Sequence, residues 1–257
     1  MAEPSAYRKL EDEEYEALAS GILYEDNHLL IVNKQVGDIV QGDKTGDETL
    51  GDKYKAFIAR RDGKPGKVFM GIPHRLDRPV SGITVLAKTS KALERMSEMF
   101  RDGNVHKIYW ALVCEEPERA EATLESWIAR NGDTNKSFIA KAGSKNAKFA
   151  KLRYRMIGKT DRFFLLEVEL FTGRHHQIRC QLASIGCHIK GDLKYGAKRS
   201  NPDGGICLHA REIRFTHPVK KTEIDVKAPV PRSWKGLSPE AYSPANDGTT
   251  PRESGRQ

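Results

Sequence analysis

The segment His74-Arg75-Leu76-Asp77-Arg78-Pro79-Val80-Ser81-Gly82 sets one carboxylate between two arginines, where an extended stretch of chain must stop. Pro79 has no N–H to give to a ladder, and Gly82 relaxes the backbone beyond it. Alternate side chains of an extended segment share a face, so Arg75 and Asp77 are expected together, with His74 and Leu76 directed the other way. A carboxylate held among cations stays ionised, which is what a nucleophilic or basic aspartate needs. The same residues also suit a turn aspartate tied to Arg75 or Arg78.

Two further positions have suitable chemistry. Arg174 follows Gly173 at the start of an expected helix, where free N–H groups and the helix dipole favour anions; it can pair with a carboxylate or a phosphate, or simply lie exposed. Tyr109 alternates with Lys107 on an expected strand, offering a ring that can stack on a base beside a cation, or an ordinary core tyrosine. His175, His176, Cys180, Cys187 and His188 raise the question of a metal. His176 and Cys180 stand four residues apart on the expected helix, but adjacent histidines diverge and no second close pair exists, so no metal is expected.

These residues need elements to hold them. Residues 11–20 read as a helix stopped by Gly21, and 22–24 with 29–32 as a hairpin around Asp26-Asn27. A helix over 49–61, a strand over 83–87, a helix capped by Ser90 and ending near Gly103, and a strand over 108–113 follow. The stretch 123–170 has strand character, interrupted by a polar, lysine-rich loop over 131–148. A helix over 174–185 and strands over 206–215 and 222–228 close the core, and from Ser238 the composition is that of a disordered tail. Strands dominate without regular βαβ alternation, which predicts an α+β fold with a mixed, mostly antiparallel sheet and peripheral helices. The expected organisation is an N-terminal helical extension (1–21), one catalytic domain (22–237) and the tail (238–257).

Composition narrows the partner. Lys and Arg number 43 against 35 Asp and Glu, a net charge of +8 that suits a polyanion such as nucleic acid, or merely a soluble basic surface. Four cysteines with no CxxC pair, an acidic polar N-terminus and no apolar run long enough to span a bilayer predict a reducing cytoplasm and no membrane association. Neither a Walker loop nor a GxGxxG fingerprint after a strand is present, so no nucleotide cofactor is expected.

Taken together, the motifs resemble the RluA family of RNA pseudouridine synthases. The resemblance runs from about Ile22 to Pro229. Besides the Asp77 segment with Val85-Leu86-Ala87-Lys88-Thr89, it includes Ile22 to Asp26 with Leu29 to Lys34, Lys107 to Val113, Gly173-Arg174 with His176-Gln177-Ile178-Arg179, Gly191-Asp192 with Tyr195-Gly196, and Leu208-His209-Ala210. It implies a mixed sheet with a basic cleft and isomerisation of uridine in ribosomal or transfer RNA without cofactor; no obligate protein partner is evident, and with no coiled-coil stripe to force a dimer a monomer is expected. By resemblance Asp77 is the catalytic aspartate, Tyr109 packs on the target base, Arg174 is the basic residue paired with the aspartate, and Arg75 helps displace the base. His74, Arg78, Ile178 and Lys107 are expected to contact the RNA or the base. The chain departs from the family pattern at Gln35, His175, Cys180 and Gln181. Its core begins too early for an S4-type RNA-binding module, so the core itself is expected to grip the RNA. The residues also fit a non-catalytic RNA-binding factor, a base-releasing hydrolase, or a small metal hydrolase built on the His/Cys cluster.

Overall fold

Asp26 turns the chain for the first time. Its Oδ1 accepts the N–H groups of His28 (2.7 Å) and Leu29 (2.8 Å), reversing the backbone between β1 (Ile22–Glu25) and β2 (Leu29–Lys34). Such side-chain-to-backbone bonds are the usual reason for aspartate in a turn. Leu29, Leu30, Ile31 and Val32 have no solvent exposure, so β2 is covered on both faces and shows no alternation. The computed structural model describes residues 7–42, 46–64 and 66–234, and the tail expected from Ser238 lies outside them.

Among the described residues four α-helices flank the sheet: α1 (Asp12–Ser20), α2 (Leu50–Arg61), α3 (Ser90–Asp102) and α4 (Gln177–Ser184). Thr49 caps α2 by accepting the N–H of Asp52. For α3 the cap is Thr89, which accepts the N–H of Ala92, and the expected capping residue Ser90 is instead its first helical residue. Gly103 ends α3 in the left-handed conformation at φ 79°, as a C-terminal glycine does.

The remaining strands are β3 (Ser81–Ala87), β4 (His106–Val113), β5 (Glu121–Asn131), β6 (Lys136–Ala140), β7 (Lys148–Lys159), β8 (Phe164–Leu170), β9 (Leu208–Thr216) and β10 (Glu223–Lys227). They form one 10-stranded sheet in the order β1-β2-β3-β9-β4-β8-β7-β5-β6, with β10 also on β9. Among the described strands only β3 and β9 run parallel, through Ser81 opposite His209 and Gly82 opposite Ala210. The α+β class with a mixed, mostly antiparallel sheet is therefore observed as expected. Gly82 is required at this junction: its φ is +111°, and an added Cβ would lie 2.4 Å from the Ala210 carbonyl oxygen.

Two expectations need correction. The polar stretch 131–148 contains β6, paired antiparallel with β5 from Asn131↔Lys136 to Trp127↔Ala140. It is an edge strand with Phe138 and Ile139 both exposed, so it shows no buried face to the sequence. The helix expected from Arg174 begins three residues later, because His176 adopts φ +51° and the Gln177 side chain accepts the N–H of Arg174 at 3.0 Å. Arg174 thereby falls on the loop before the helix.

Candidate active site

The loop bearing Asp77 is held from three sides. Gly71 exchanges backbone hydrogen bonds with Ala87, at 2.8 and 2.9 Å. The N–H of Val85 donates to Nε2 of His74 at 2.9 Å, and the His74 ring stacks on Phe100 at 4.2 Å. From below, the fully buried ammonium of Lys34 donates to the carbonyls of Gln35 (2.9 Å), Arg78 (3.2 Å) and Val80 (2.7 Å). Burial pushes the Lys34 pKa down to about 8, against the attraction of Asp38 and Asp77. A turn closes by donation from the N–H of Val80 to the Asp77 carbonyl at 3.0 Å.

The Asp77 side chain, 32 % exposed, meets α4. Arg179 Nη1 lies 3.3 Å from its Oδ2, and His176 Nε2 lies 3.4 Å from the same oxygen. Among the described residues nothing binds Oδ1, so one carboxylate oxygen is pinned and the other is left toward the cleft. Arg179 is itself buried and fixed by a two-pronged contact, Nε and Nη2 donating to Asp192 at 2.7 and 2.8 Å. Its guanidinium also lies over the Tyr195 ring at 4.9 Å. The arrangement is a carboxylate–guanidinium–carboxylate line with its inner end buried and its outer end in the cleft.

Tyr109 lies on β4 just after a register shift against β9 between Ile108 and Tyr109, and such irregularities redirect side chains. It lines the same cleft as Asp77 and is half-buried. Burial first, then the charge of Asp77, raises its phenol above the ordinary range, which keeps it protonated. The cleft measures about 640 Å³. Seven cationic side chains line it (Arg75, Arg78, Lys107, Arg130, Arg174, Arg179 and Lys194), and Asp77 is its one carboxylate among the described residues.

The residues expected from the sequence do not all meet. Asp77 and Tyr109 line one cleft, with Lys107 half-buried beside them. Arg75 is exposed and donates to Gln41 Oε1, while Arg78 pairs with Asp47 at 2.9 Å. Arg174 does not pair with Asp77: its Nε donates to the Phe149 carbonyl at 2.8 Å, and Arg179 holds the place expected for it. One helical turn brings Arg179 round to the inner face of α4, whereas Arg174 precedes the helix. His74 is tied to Val85 and kept neutral by burial, its pKa pushed down to about 3, so it holds the loop and offers RNA no charge. Ile178 packs in the core and only borders the space beneath Asp77.

Lys34, Arg179 and Asp192 were not singled out in the sequence as site residues, and His176 was weighed only as a metal ligand. Periodicity does not single out Arg179, because the six residues from Gln177 to Leu182 are all buried; the fold shows that this buried arginine has the partners it needs. Both ring nitrogens of His176 are engaged, by Asp77 and by Tyr195, and Cys180 is buried in a small apolar cluster that includes Tyr195.

A family model for RNA pseudouridylate synthase matches residues 28–184. The chain is 34 % identical over 215 residues to ribosomal large subunit pseudouridine synthase C of Vibrio vulnificus, covering 81 % of this chain and 65 % of that protein. It is 32 % identical to ribosomal large subunit pseudouridine synthase D of Zymomonas mobilis, covering 84 % of this chain and 71 % of that one. A solved structure, human RNA pseudouridylate synthase domain containing 4, superposes with a TM-score of 0.72 at 26 % identity, over 87 % of this chain and 95 % of that one. With a matched family model and relatives above 30 % identity, the chain belongs to the RNA pseudouridylate synthase family, in its RluA-type branch.

Proposed function

We propose that this chain converts uridine to pseudouridine in structured RNA, with Asp77 as the catalytic group and no cofactor. The observation that carries the reading is the lone carboxylate of Asp77, with one oxygen pinned by Arg179 and the other free, at the centre of a cleft otherwise lined by cations. Phosphates are drawn to the cations, and only a reactive role justifies a like-charged carboxylate among them. The N1–C1′ bond of uridine breaks, the base turns, and a C5–C1′ bond forms. The proton on C5 is lost to solvent and N1 gains one, so no redox carrier or energy source is consumed. The Asp77 oxygen either attacks the sugar or takes a proton from it, and both routes need it ionised. The target base must leave its stack at a cost of about a few kcal/mol, which Arg75 offsets by filling the space while the Tyr109 ring holds the base.

Ribosomal RNA is the favoured substrate, in line with the names of the two bacterial relatives. We assign residues 22–237 as the catalytic domain, acting as a monomer in the cytoplasm, a compartment suited to four cysteines that form no disulfide. Size-exclusion chromatography and cell fractionation check these two points.

The test is to treat unmodified ribosomal and transfer RNA with purified protein and digest it for mass spectrometry. Pseudouridine, isobaric with uridine but separable by chromatography, is the expected product. Asp77→Asn abolishes its formation while leaving RNA affinity within about threefold. Release of free uracil, or full turnover by a sequence-verified Asp77→Asn protein, overturns the reading.

A further inference from the structure

His176 occupies a conformation that a helix-flanking residue does not adopt without cause. It is a non-glycine residue at φ +51°, 9 % exposed, with its ring against the site. Asparagine, aspartate and histidine enter this region more readily than other side chains, and the arrangement persists only where the surroundings fix it. What fixes it here is a line of polar groups. The N–H of Ser137 on β6 donates to the Tyr195 hydroxyl at 2.8 Å, that hydroxyl lies 3.0 Å from His176 Nδ1, and His176 Nε2 lies 3.4 Å from Asp77 Oδ2. The His175 ring stacks on that of His176 at 3.8 Å, and Ser137 Oγ lies 2.9 Å from His175 Nδ1.

The Asp77 end of the line decides which ring nitrogen of His176 carries the proton. A carboxylate can only accept, so the nitrogen facing Asp77 must carry the hydrogen. Nδ1 is then an acceptor and, at 3.0 Å, competes for the Tyr195 proton with the Ser137 carbonyl at 3.2 Å. The opposite tautomer would set a lone pair against a negative oxygen, with the Tyr195 proton turned to the Ser137 carbonyl at 3.2 Å. Burial, followed by the charge of Arg179, pushes the His176 pKa down to about 2, and burial pushes that of Tyr195 up to about 12, so both groups stay neutral across the working range.

We infer that His176 is a positioning residue: a neutral imidazole, its tautomer set by the Asp77 carboxylate and matched by Tyr195, that joins Arg179 on Oδ2 of Asp77 and so aims Oδ1 at the uridine. The inference rests on the proposed pseudouridine chemistry and deepens it. At 3.4 Å the contact is long for a hydrogen bond, and such contacts commonly tighten when the reacting group is in place. Arginine alone fixes one direction at Oδ2, whereas a second donor from another direction stops the carboxylate from rotating. The same line ends on β6, whose hairpin with β5 brings Arg130 and Asn135 to the cleft.

Two variants separate this role from a structural one. Glutamine places its amide nitrogen where histidine has Nε2 and can still reach Asp77. Asparagine reaches only as far as Nδ1, but tolerates positive φ better than glutamine. His176→Asn is therefore expected to keep or raise the melting temperature yet lose about 10–100-fold in kcat, with KM for RNA within about threefold. His176→Gln is expected to melt lower but retain kcat within about threefold. If activity instead follows stability, with the asparagine protein active and the glutamine protein not, the inference is overturned. A reading independent of turnover comes from ¹⁵N spectra of the wild-type imidazole, where a proton on Nε2 and a bare Nδ1 are expected. The reverse tautomer overturns the inference even if the enzyme is active. Absence of pseudouridine from every protein, wild type included, sinks the functional proposal and leaves the tautomer to be decided by the spectra.

Discussion

Replacing Arg179 tests whether the buried half of the carboxylate–guanidinium–carboxylate line supports the fold while its outer half supports turnover. Asp192 is 2 % exposed and takes both of its charged contacts from Arg179, at 2.7 and 2.8 Å. Arg179→Met leaves that carboxylate buried without a counter-charge, a defect that costs about 3–5 kcal/mol. For a chain of this length about 2–4 °C of melting temperature goes with each kcal/mol, so the variant is expected to melt about 6–20 °C lower. The double variant Arg179→Met with Asp192→Leu removes both charges and fills the space with apolar groups. It is expected to return to within about 1–2 kcal/mol of wild type, because such replacements are often neutral or stabilising. Turnover should not return with it, since Oδ2 of Asp77 has lost its guanidinium in both proteins. Urea unfolding followed by the fluorescence of the three tryptophans gives the stabilities, and pseudouridine yield on one RNA gives the turnover. A double variant that regains both stability and turnover, or a single variant less than about 1 kcal/mol below wild type, refutes the reasoning.

Three other outcomes follow from the geometry. Gly82→Ala forces a Cβ to within 2.4 Å of the Ala210 carbonyl oxygen at φ +111°, so a loss of about 4 kcal/mol or more is expected, visible as insoluble expression or a sharply lowered melting point. Arg174→Ala should leave the pH–rate profile and kcat unchanged but weaken RNA binding, reducing the slope of log K against log salt by about 0.7–0.9. A shifted pH profile would return Arg174 to the side of Asp77. Burial depresses the pKa values of His74 to about 3, His176 to about 2 and His209 to about 4, all below their unfolded value. The unfolded chain therefore binds protons that the folded one refuses. Stability is fully present above the unfolded pKa and drains away as pH falls below it, by up to about 1.4 kcal/mol per pH unit for each ring. Unfolding measured at roughly pH 7.5 and 5.5 should differ by up to about 4 kcal/mol. Equal stabilities would mean that these rings are not buried neutral.

The parts of the site legible in the sequence are those written by local rules. Pro79 and Gly82 mark where the strand ends and the backbone must bend, and alternation correctly separates exposed Arg75 from buried Leu76. Asp26-Asn27 gives the hairpin, and Gly103 the end of α3. What stayed hidden depends on contacts between distant residues. The choice between Arg174 and Arg179 turns on where α4 starts, which His176 decides by adopting a left-handed conformation that the pattern of apolar residues does not record. Lys34 stands in the sequence only as the end of the Leu29 to Lys34 stretch, and it is the fold that shows its ammonium among three carbonyls. Strand β6 has two consecutive exposed apolar residues, and its place is set by pairing with β5 and by Tyr195 against Ser137.

Asp77 is partly open to solvent yet held by groups far apart in the sequence: Lys34 from β2 beneath its loop, Val85 from β3 through His74, and Arg179 from α4 on its own oxygen. Such preorganisation suits a group that must act on a charged, flexible polymer, since little reorganisation is left for the moment of reaction. The charge pattern agrees. On the opposite face of the sheet arginines pair with carboxylates, as Arg153 does with Glu121 and Arg155 with Glu167. In the cleft, Arg75, Arg130, Arg174 and Lys194 meet only neutral oxygens among the described residues. A net charge of +8 spread evenly would imply little beyond solubility. Left without counter-charges around one carboxylate, the same excess becomes a directed field. On the proposed reading it draws phosphates to the rim and leaves Asp77, whose charge opposes binding, to act on what the phosphates carry with them.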